Sequence, residues 1–135
     1  MIEGGCLCGG VRYQYTAELQ DVVVCHCQQC KKAQGSAFAV NAPIRQEFFT
    51  LLSGQQLLRE YRHSPFKSRV FCENCGSALY SQRDDTPDLI RLRLGTLDTI
   101  DIPAPNYHIH HENAVDWCRF DESQPRYPVA KPVLY

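Results

Sequence analysis

The sequence predicts an all-β fold, built mainly from antiparallel strands with one short helix. Most of the chain consists of short runs in which apolar and polar residues alternate, a pattern typical of half-buried strands. Gly, Pro, Asp and Asn, which favour turns, separate these runs. Because no long helical pattern lies between the runs, parallel strands joined by crossover helices are not expected.

The strand predictions follow the chain in order. Residues 11–15 alternate apolar and polar, and residues 21–24 form a β-branched run that leads into Cys25. Residues 89–94 alternate cleanly from Ile90 and end at Gly95. Further strands are expected at residues 38–40, 48–52, 57–61, 69–71 and 107–111.

One segment has helical character. Residues 28–34 read as a short helix, and Gly35 follows in the position where a glycine commonly ends a helix. The proline-rich end, residues 125–132, is expected to pack as an irregular tail. With no internal repeat or linker visible, residues 1–135 are expected to form a single domain of ordinary size.

Charge and hydropathy exclude several classes of partner. The net charge is −1 and no basic stripe is present, which argues against nucleic acid or an anionic membrane as a partner. Residues 1–5 lack the features of a signal peptide, and the longest apolar runs are too short to span a bilayer. A cytoplasmic location is therefore expected, where eight cysteines indicate metal ligands or reactive thiols rather than disulfides.

Seven of the eight cysteines fall into three tight clusters. Such short spacings hold thiolates close together, as tetrahedral zinc requires. Two pairs can close one four-ligand structural site, whereas a triple leaves a fourth position open, as catalytic zinc sites do. Disulfides and an iron–sulfur cluster are the alternatives, although three cysteines within six residues cannot all pair locally and the usual ferredoxin spacings are absent. The clusters are Cys6 and Cys8; Cys25, Cys27 and Cys30; and Cys72 and Cys75.

The clusters stand at turns. Gly76 follows the last pair, as in a zinc knuckle, where glycine lets the backbone amides turn toward the sulfurs. The triple cluster spans the end of a predicted strand and the start of the predicted helix. Amides at a helix start stabilise negative charge, so they would favour thiolates there.

The polar residues beside the triple cluster are open to two interpretations each. His26 is expected to be a packing or surface residue, because on an extended segment it points away from the cysteines on either side. Lys31 and Lys32 could hold an anionic substrate or simply be solvated. His108 and His110 are expected to share a strand face, where they could bind metal or substrate or only contact solvent.

Four motifs lie at residues 5–13, 25–32, 71–76 and 95–98. Taken together, they resemble the glutathione-dependent formaldehyde-activating enzyme family, which includes relatives of centromere protein V. The resemblance implies a zinc-stabilised β-tent fold with two zinc ions per chain. It places a structural zinc on one set of four cysteines and a second zinc on the remaining three. The structural set is Cys6, Cys8, Cys72 and Cys75, and the second set is Cys25, Cys27 and Cys30.

The open zinc site suggests a chemistry. A thiolate-bound zinc favours a further soft ligand, so a substrate thiol could take the fourth position and ionise near neutral pH. The thiolate would add to an aldehyde, and the reverse reaction is carbon–sulfur lysis. The family name implies glutathione as the small-molecule partner and formaldehyde as the aldehyde, giving S-hydroxymethylglutathione, with Cys25, Cys27 and Cys30 as the catalytic site. The alternatives are a non-catalytic zinc module that binds or carries a thiol, and a purely structural interaction protein.

Overall fold

The computed structural model describes residues 1–120 and 123–129. Within them the chain forms ten strands, one α-helix and four short 3₁₀ turns. The strands are β1 (Ile2–Gly5), β2 (Arg12–Tyr15), β3 (Val23–Cys25), β4 (Ala39–Arg45), β5 (Phe49–Ser53), β6 (Leu58–Ser64), β7 (Lys67–Cys72), β8 (Ala78–Arg83), β9 (Leu89–Arg93) and β10 (Tyr107–Ile109). The helix is α1 (Gln28–Gln34), and the 3₁₀ turns are Gln46–Phe48, Gln55–Leu57, Leu94–Thr96 and His111–Asn113.

The strands form two sheets. A three-stranded sheet has the order β1-β2-β5, and a seven-stranded sheet has the order β10-β3-β4-β9-β8-β7-β6. All neighbours are antiparallel except β10, which runs parallel to β3 with Tyr107 opposite Val23. The predicted all-β fold of mainly antiparallel strands with one short helix is therefore confirmed.

Side chains from both sheets meet in one buried core. Tyr13 of β2 is fully buried, and its ring centroid lies 5.2 Å from that of Phe49 in β5. Its hydroxyl lies 2.6 Å from Oγ1 of Thr96, which satisfies the one polar atom of the ring. Burial raises the pKa of Tyr13 to about 12. The large sheet contributes Ala42, Ile44, Leu79, Ile90 and Leu92 to this core.

The two faces of the large sheet differ in character. In β9, Ile90 and Leu92 enter the core, whereas Arg91 and Arg93 line a polar cavity. This division follows from the strand geometry, in which successive side chains point to opposite faces. The polar face carries the three-cysteine cluster, so the strand period determines which residues surround it.

The helix is formed where the sequence predicts it. It begins after Cys27 and ends at Gly35, which adopts the left-handed conformation with φ of 63°. The backbone amide of Gly35 donates to the carbonyl oxygen of Lys31, so one carbonyl group of the last turn is paired.

The strands differ from the sequence prediction in several places. β1 and β8 were not predicted, because a Gly-rich segment and a mixed polar segment carry little strand signal. β4 continues past residue 40 to Arg45 even though it contains Pro43, a residue that usually interrupts a strand. The strand predicted at residues 107–111 ends at Ile109, because His110 turns the chain with φ of 52°.

The end of the chain is described only in part. Residues 125–129 are exposed and have no regular secondary structure, as predicted, whereas residues 130–132 of the expected tail lie outside the described residues. In the described part of the chain, no helix has the length and apolar composition needed to cross a bilayer.

Candidate metal centres

Four cysteines from two distant turns converge on one point. Cys6 and Cys8 lie between β1 and β2, Cys72 is the last residue of β7, and Cys75 lies in the turn that leads to β8. Their sulfur atoms all lie within 4.8 Å of one another, with 3.4 Å between Cys6 and Cys8 and 3.9 Å between Cys8 and Cys72. The backbone amide of Val11 also donates to the sulfur of Cys6 at 3.2 Å. The group therefore links the small sheet to the large one.

The turn after Cys72 contains a left-handed glycine, as expected of a knuckle. Gly76 has φ of 77°, and its amide donates to the carbonyl oxygen of Cys72 at 2.8 Å. Ser77 Oγ accepts a hydrogen bond from the amide of Leu7 and lies 3.3 Å from the sulfur of Cys75. Hydrogen bonding with Ser77 lowers the pKa of Cys75 to about 5, so this thiol ionises readily.

The other three cysteines form a second group at the start of α1. Cys25 ends β3, Cys27 is the residue that caps the helix, and Cys30 lies in its first turn. The three sulfur atoms lie within 4.8 Å of one another. The amide of Cys30 donates to the sulfur of Cys27 at 3.3 Å, so the helix start stabilises charge on that sulfur as predicted.

The thiols of this second group differ in acidity. Burial raises the pKa of Cys25 to about 12. Burial also disfavours the charged form of Cys30. Hydrogen bonds with Cys27, Cys25 and Arg69 and the positive charge of Arg93 together outweigh burial, so the pKa of Cys30 is lowered. A metal ion that binds all three as thiolates must therefore displace protons.

Both groups could bind a metal ion. Four thiols match a closed tetrahedral zinc site, and three match a site with one position free, so the donor chemistry is compatible with zinc. Among residues 1–120 and 123–129, no further histidine, cysteine or acidic side chain joins the three-cysteine group within ligand distance. Disulfides are excluded for all eight cysteines, since even the Cys6–Cys8 sulfur separation far exceeds the bond length of about 2.05 Å.

A cavity of about 350 Å³ opens beside the three-cysteine group. All three cysteines line it, together with four basic side chains from β7, β8 and β9. We refer to Lys67, Arg83, Arg91 and Arg93 as the cationic face. No acidic side chain of the described residues lines this cavity. Sequence analysis missed these residues, although the alternation in residues 89–94 already places Arg91 and Arg93 on one strand face.

The histidines divide between two faces of the sheet. His26 is buried, and its Nε2 lies 2.8 Å from Nδ1 of His108, so it packs away from the cysteines as predicted. Both line a larger cavity, of about 710 Å³, that none of the seven clustered cysteines reaches. The prediction that His108 and His110 share a face is wrong. The left-handed turn at His110 directs this residue to the three-cysteine cavity instead.

The two lysines of α1 lie away from the three-cysteine cavity. Lys31 Nζ donates to the carbonyl oxygen of Asn113 at 2.6 Å, and Lys32 is exposed. Both border a separate shallow surface with Trp117. Of the two interpretations of these lysines, their positions favour solvation over a role in holding a substrate at the cysteines.

A family model and one of the relatives name the same family. The family model described as "Glutathione-dependent formaldehyde-activating enzyme" matches residues 1–113. A Halomonas elongata protein named "Putative glutathione-dependent formaldehyde-activating enzyme" is 29% identical over 135 aligned positions, covering 92% of this chain and 83% of that protein. An uncharacterized lyase of Schizosaccharomyces pombe is 31% identical over 78 residues, covering 58% of this chain and only 55% of the relative.

A solved structure supports the fold. The crystal structure of a Rhodobacter sphaeroides protein superposes with a TM-score of 0.61 at 25% sequence identity. The match covers 73% of this chain and 90% of that one. This likeness supports the fold of the chain.

Proposed function

Because this chain belongs to the glutathione-dependent formaldehyde-activating enzyme family, we propose that it is a zinc-dependent carbon–sulfur lyase. Its substrates would be glutathione and formaldehyde, or a related thiol and aldehyde, and its product S-hydroxymethylglutathione or the related adduct. The names of two relatives, an activating enzyme and a lyase, support an enzymatic role.

The observation that carries the proposal is the unequal number of cysteines in the two groups. Four converge on one point and three on another, and the three-cysteine group has no further ligand among the described residues. We assign the structural zinc to Cys6, Cys8, Cys72 and Cys75, and the catalytic zinc to Cys25, Cys27 and Cys30. A small chain gains stability from the first, while the second leaves a position that a substrate thiol can reach from the cavity.

A zinc ion held by Cys25, Cys27 and Cys30 would lower the pKa of a bound thiol and keep it as thiolate near neutral pH. In the reaction, the thiol sulfur forms a bond to the aldehyde carbon, and one electron pair of the C=O bond moves to oxygen. The proton lost by the thiol ends on that oxygen, so one thiol and one aldehyde give one hemithioacetal. Negative charge develops on the aldehyde oxygen before that oxygen is protonated, and the basic side chains that line the cavity stabilise it.

Exchange spectroscopy with ¹³C-labelled formaldehyde and glutathione tests the proposal. The uncatalysed reaction is already reversible, so the measured quantity is the rate at which label passes between free formaldehyde and the adduct. The wild type should raise this rate above that of buffer, and Cys30→Ser should not. Thiol binding without a rate effect would favour carriage of a thiol, and neither effect would favour a structural protein. The single domain and the cytoplasmic location stay predictions.

A further inference from the structure

We propose that the cationic face binds a carboxylate of the substrate thiol, so that the site selects anionic thiols over neutral ones. This inference rests on the proposed function, because it concerns the substrate of the same cavity. It adds the class of thiol that the cavity accepts and the residues that recognise it, Lys67 and Arg91 above all.

The strand register brings these positive charges together. Lys67 of β7 lies directly opposite Arg83 of β8, and Arg91 of β9 lies opposite Ser81. Like charges directly opposite in a sheet are destabilising. A cluster of this kind is therefore costly in the folded chain unless negative charge is bound beside it.

Two members of the cationic face already have a negative partner nearby. Arg83 forms a double hydrogen bond with Asp85, at 2.9 and 2.8 Å, outside the cavity lining. Arg93 is buried and lies close enough to the three cysteines for their charge to act on it. A divalent ion on three thiolates leaves about one negative charge, which Arg93 offsets.

Lys67 and Arg91 have negative groups near them but no direct ionic partner. The charges of Cys30 and Cys27 act on Lys67, and Asp85 lies near enough to Arg91 to interact with it. Neither forms an ion pair with any residue in the described ranges. One terminal nitrogen of Arg91, Nη1, is buried and has no hydrogen-bond partner among those residues. A buried donor without a partner is unfavourable, and a guanidinium group matches a carboxylate in geometry and charge.

The cavity also has the size of a small-molecule site. Its volume of about 350 Å³ lies in the range of such sites, and its lining combines three kinds of side chain. The lining includes the three cysteines, the cationic face, and the apolar or aromatic side chains of Val23, Tyr107 and Ile109. A thiol that also carries a carboxylate can contact the first two at once.

The experiment compares two thiols of similar size that differ in charge. Cobalt-loaded full-length protein is titrated with 3-mercaptopropionate and with 3-mercapto-1-propanol, and each dissociation constant is read from the growth of the cobalt–thiolate charge-transfer band. We expect the wild type to bind the carboxylate thiol about tenfold more tightly, with the preference falling as salt is added. Lys67→Gln and Arg91→Gln should each reduce the preference several-fold, and Lys67→Arg should retain most of it.

Matched controls keep the result specific. Arg45→Gln removes an exposed arginine at the end of β4, and Lys32→Gln removes an exposed lysine of α1, so both should keep the wild-type preference. Equal affinity for the two thiols in the wild type would overturn the carboxylate site while leaving the proposed function intact. A band that grows with neither thiol nor glutathione would overturn the proposed function itself. Loss of preference in the control variants as well would show a general charge effect and would also overturn the assignment.

Discussion

Asn41 Oδ1 accepts a hydrogen bond of 2.7 Å from Nη1 of Arg93, which lies directly opposite on the neighbouring strand. Arg93 is only 4% exposed, and its Nη2 lies 3.3 Å from Ser81 Oγ. No acidic side chain of the described residues pairs with it. The two neutral partners hold a buried positive charge beside the three-cysteine group, and burial lowers the pKa of the guanidinium.

We predict that Arg93→Met weakens metal binding by the three-cysteine group about tenfold, because a nearby positive charge stabilises a site of net negative charge. Arg93→Lys, which keeps the charge, should weaken it less. Competition with a chromophoric chelator measures the affinity. Arg91→Met is the matched control, since it removes a half-buried arginine from the same face of the same strand. Equal losses in the two methionine variants would contradict a specific role for Arg93.

The metal groups were the part of the site that sequence could predict. Short cysteine spacings restrict where the sulfurs can lie, so each cluster is a local feature of one turn. The joining of Cys6 and Cys8 with Cys72 and Cys75 came from ligand counting and from the family resemblance, and the structure brings these sulfurs together. The cationic face is different, because Lys67, Arg83 and Arg91 meet only through the register of three strands.

The fold shows the same division between local and long-range information. The helix was predicted with its correct bounds, because its stop signal at Gly35 is local. β8 was missed, since its polar residues are stabilised by pairing with β7 and β9 rather than by their own pattern. The turn at His110 was missed for a related reason. A non-glycine residue with positive φ leaves no sequence signal, and it reversed the expected face of that side chain.

Purified without chelator, the protein should contain two zinc ions per chain. Four thiols fill one tetrahedral site, and three hold a second ion with one position free. Elemental analysis of the protein, with zinc and iron measured on the same sample, gives the count. One zinc per chain, or iron in place of zinc, would contradict the assignment of two separate zinc sites.

The two metal groups should differ in what they contribute to folding. Cys75→Ser should unfold or aggregate the chain, because a structural zinc site supplies about 10–16 kcal/mol, as much as the whole stability of a typical domain. Its group also links the β1–β2 turn to the β7–β8 turn. Cys30→Ser should lose one zinc and the activity yet keep a cooperative melt. Thermal melts and metal analysis of both variants provide the measurement. A larger loss of thermal stability in Cys30→Ser would reverse the structural and catalytic assignments of the two groups.

Tyr13 should make stability fall at alkaline pH. An unfolded tyrosine loses its proton near pH 10, whereas burial raises the pKa of Tyr13 to about 12. The unfolded state therefore releases a proton first. Stability present below pH 10 is lost as pH rises toward 12, by about 2–3 kcal/mol in total.

The variant Tyr13→Phe isolates this effect. At neutral pH it should be less stable than the wild type by about 1 kcal/mol, because the hydrogen bond to Thr96 is removed. Urea unfolding at pH 8 and at pH 11 measures both proteins. The gap between them should shrink or reverse at pH 11, since phenylalanine has no proton to lose. A gap that is constant across this range would show that Tyr13 does not cause the alkaline loss.

The last prediction concerns direct ligation of the substrate sulfur. Glutathione should bind through its thiol to the metal held by Cys25, Cys27 and Cys30, because these three leave one position free and a soft ligand suits a thiolate-rich metal. In cobalt-substituted protein, added glutathione should raise the cobalt–thiolate charge-transfer bands. S-methylglutathione has the same carboxylates but no free thiol, so it should leave the bands unchanged. Cys30→Ser should abolish the response, whereas Cys118→Ser, which changes a cysteine outside both groups, should retain it. If no biological thiol changed the intensity of these bands, the basis of the lyase mechanism would be removed and the second metal would be left with a structural role.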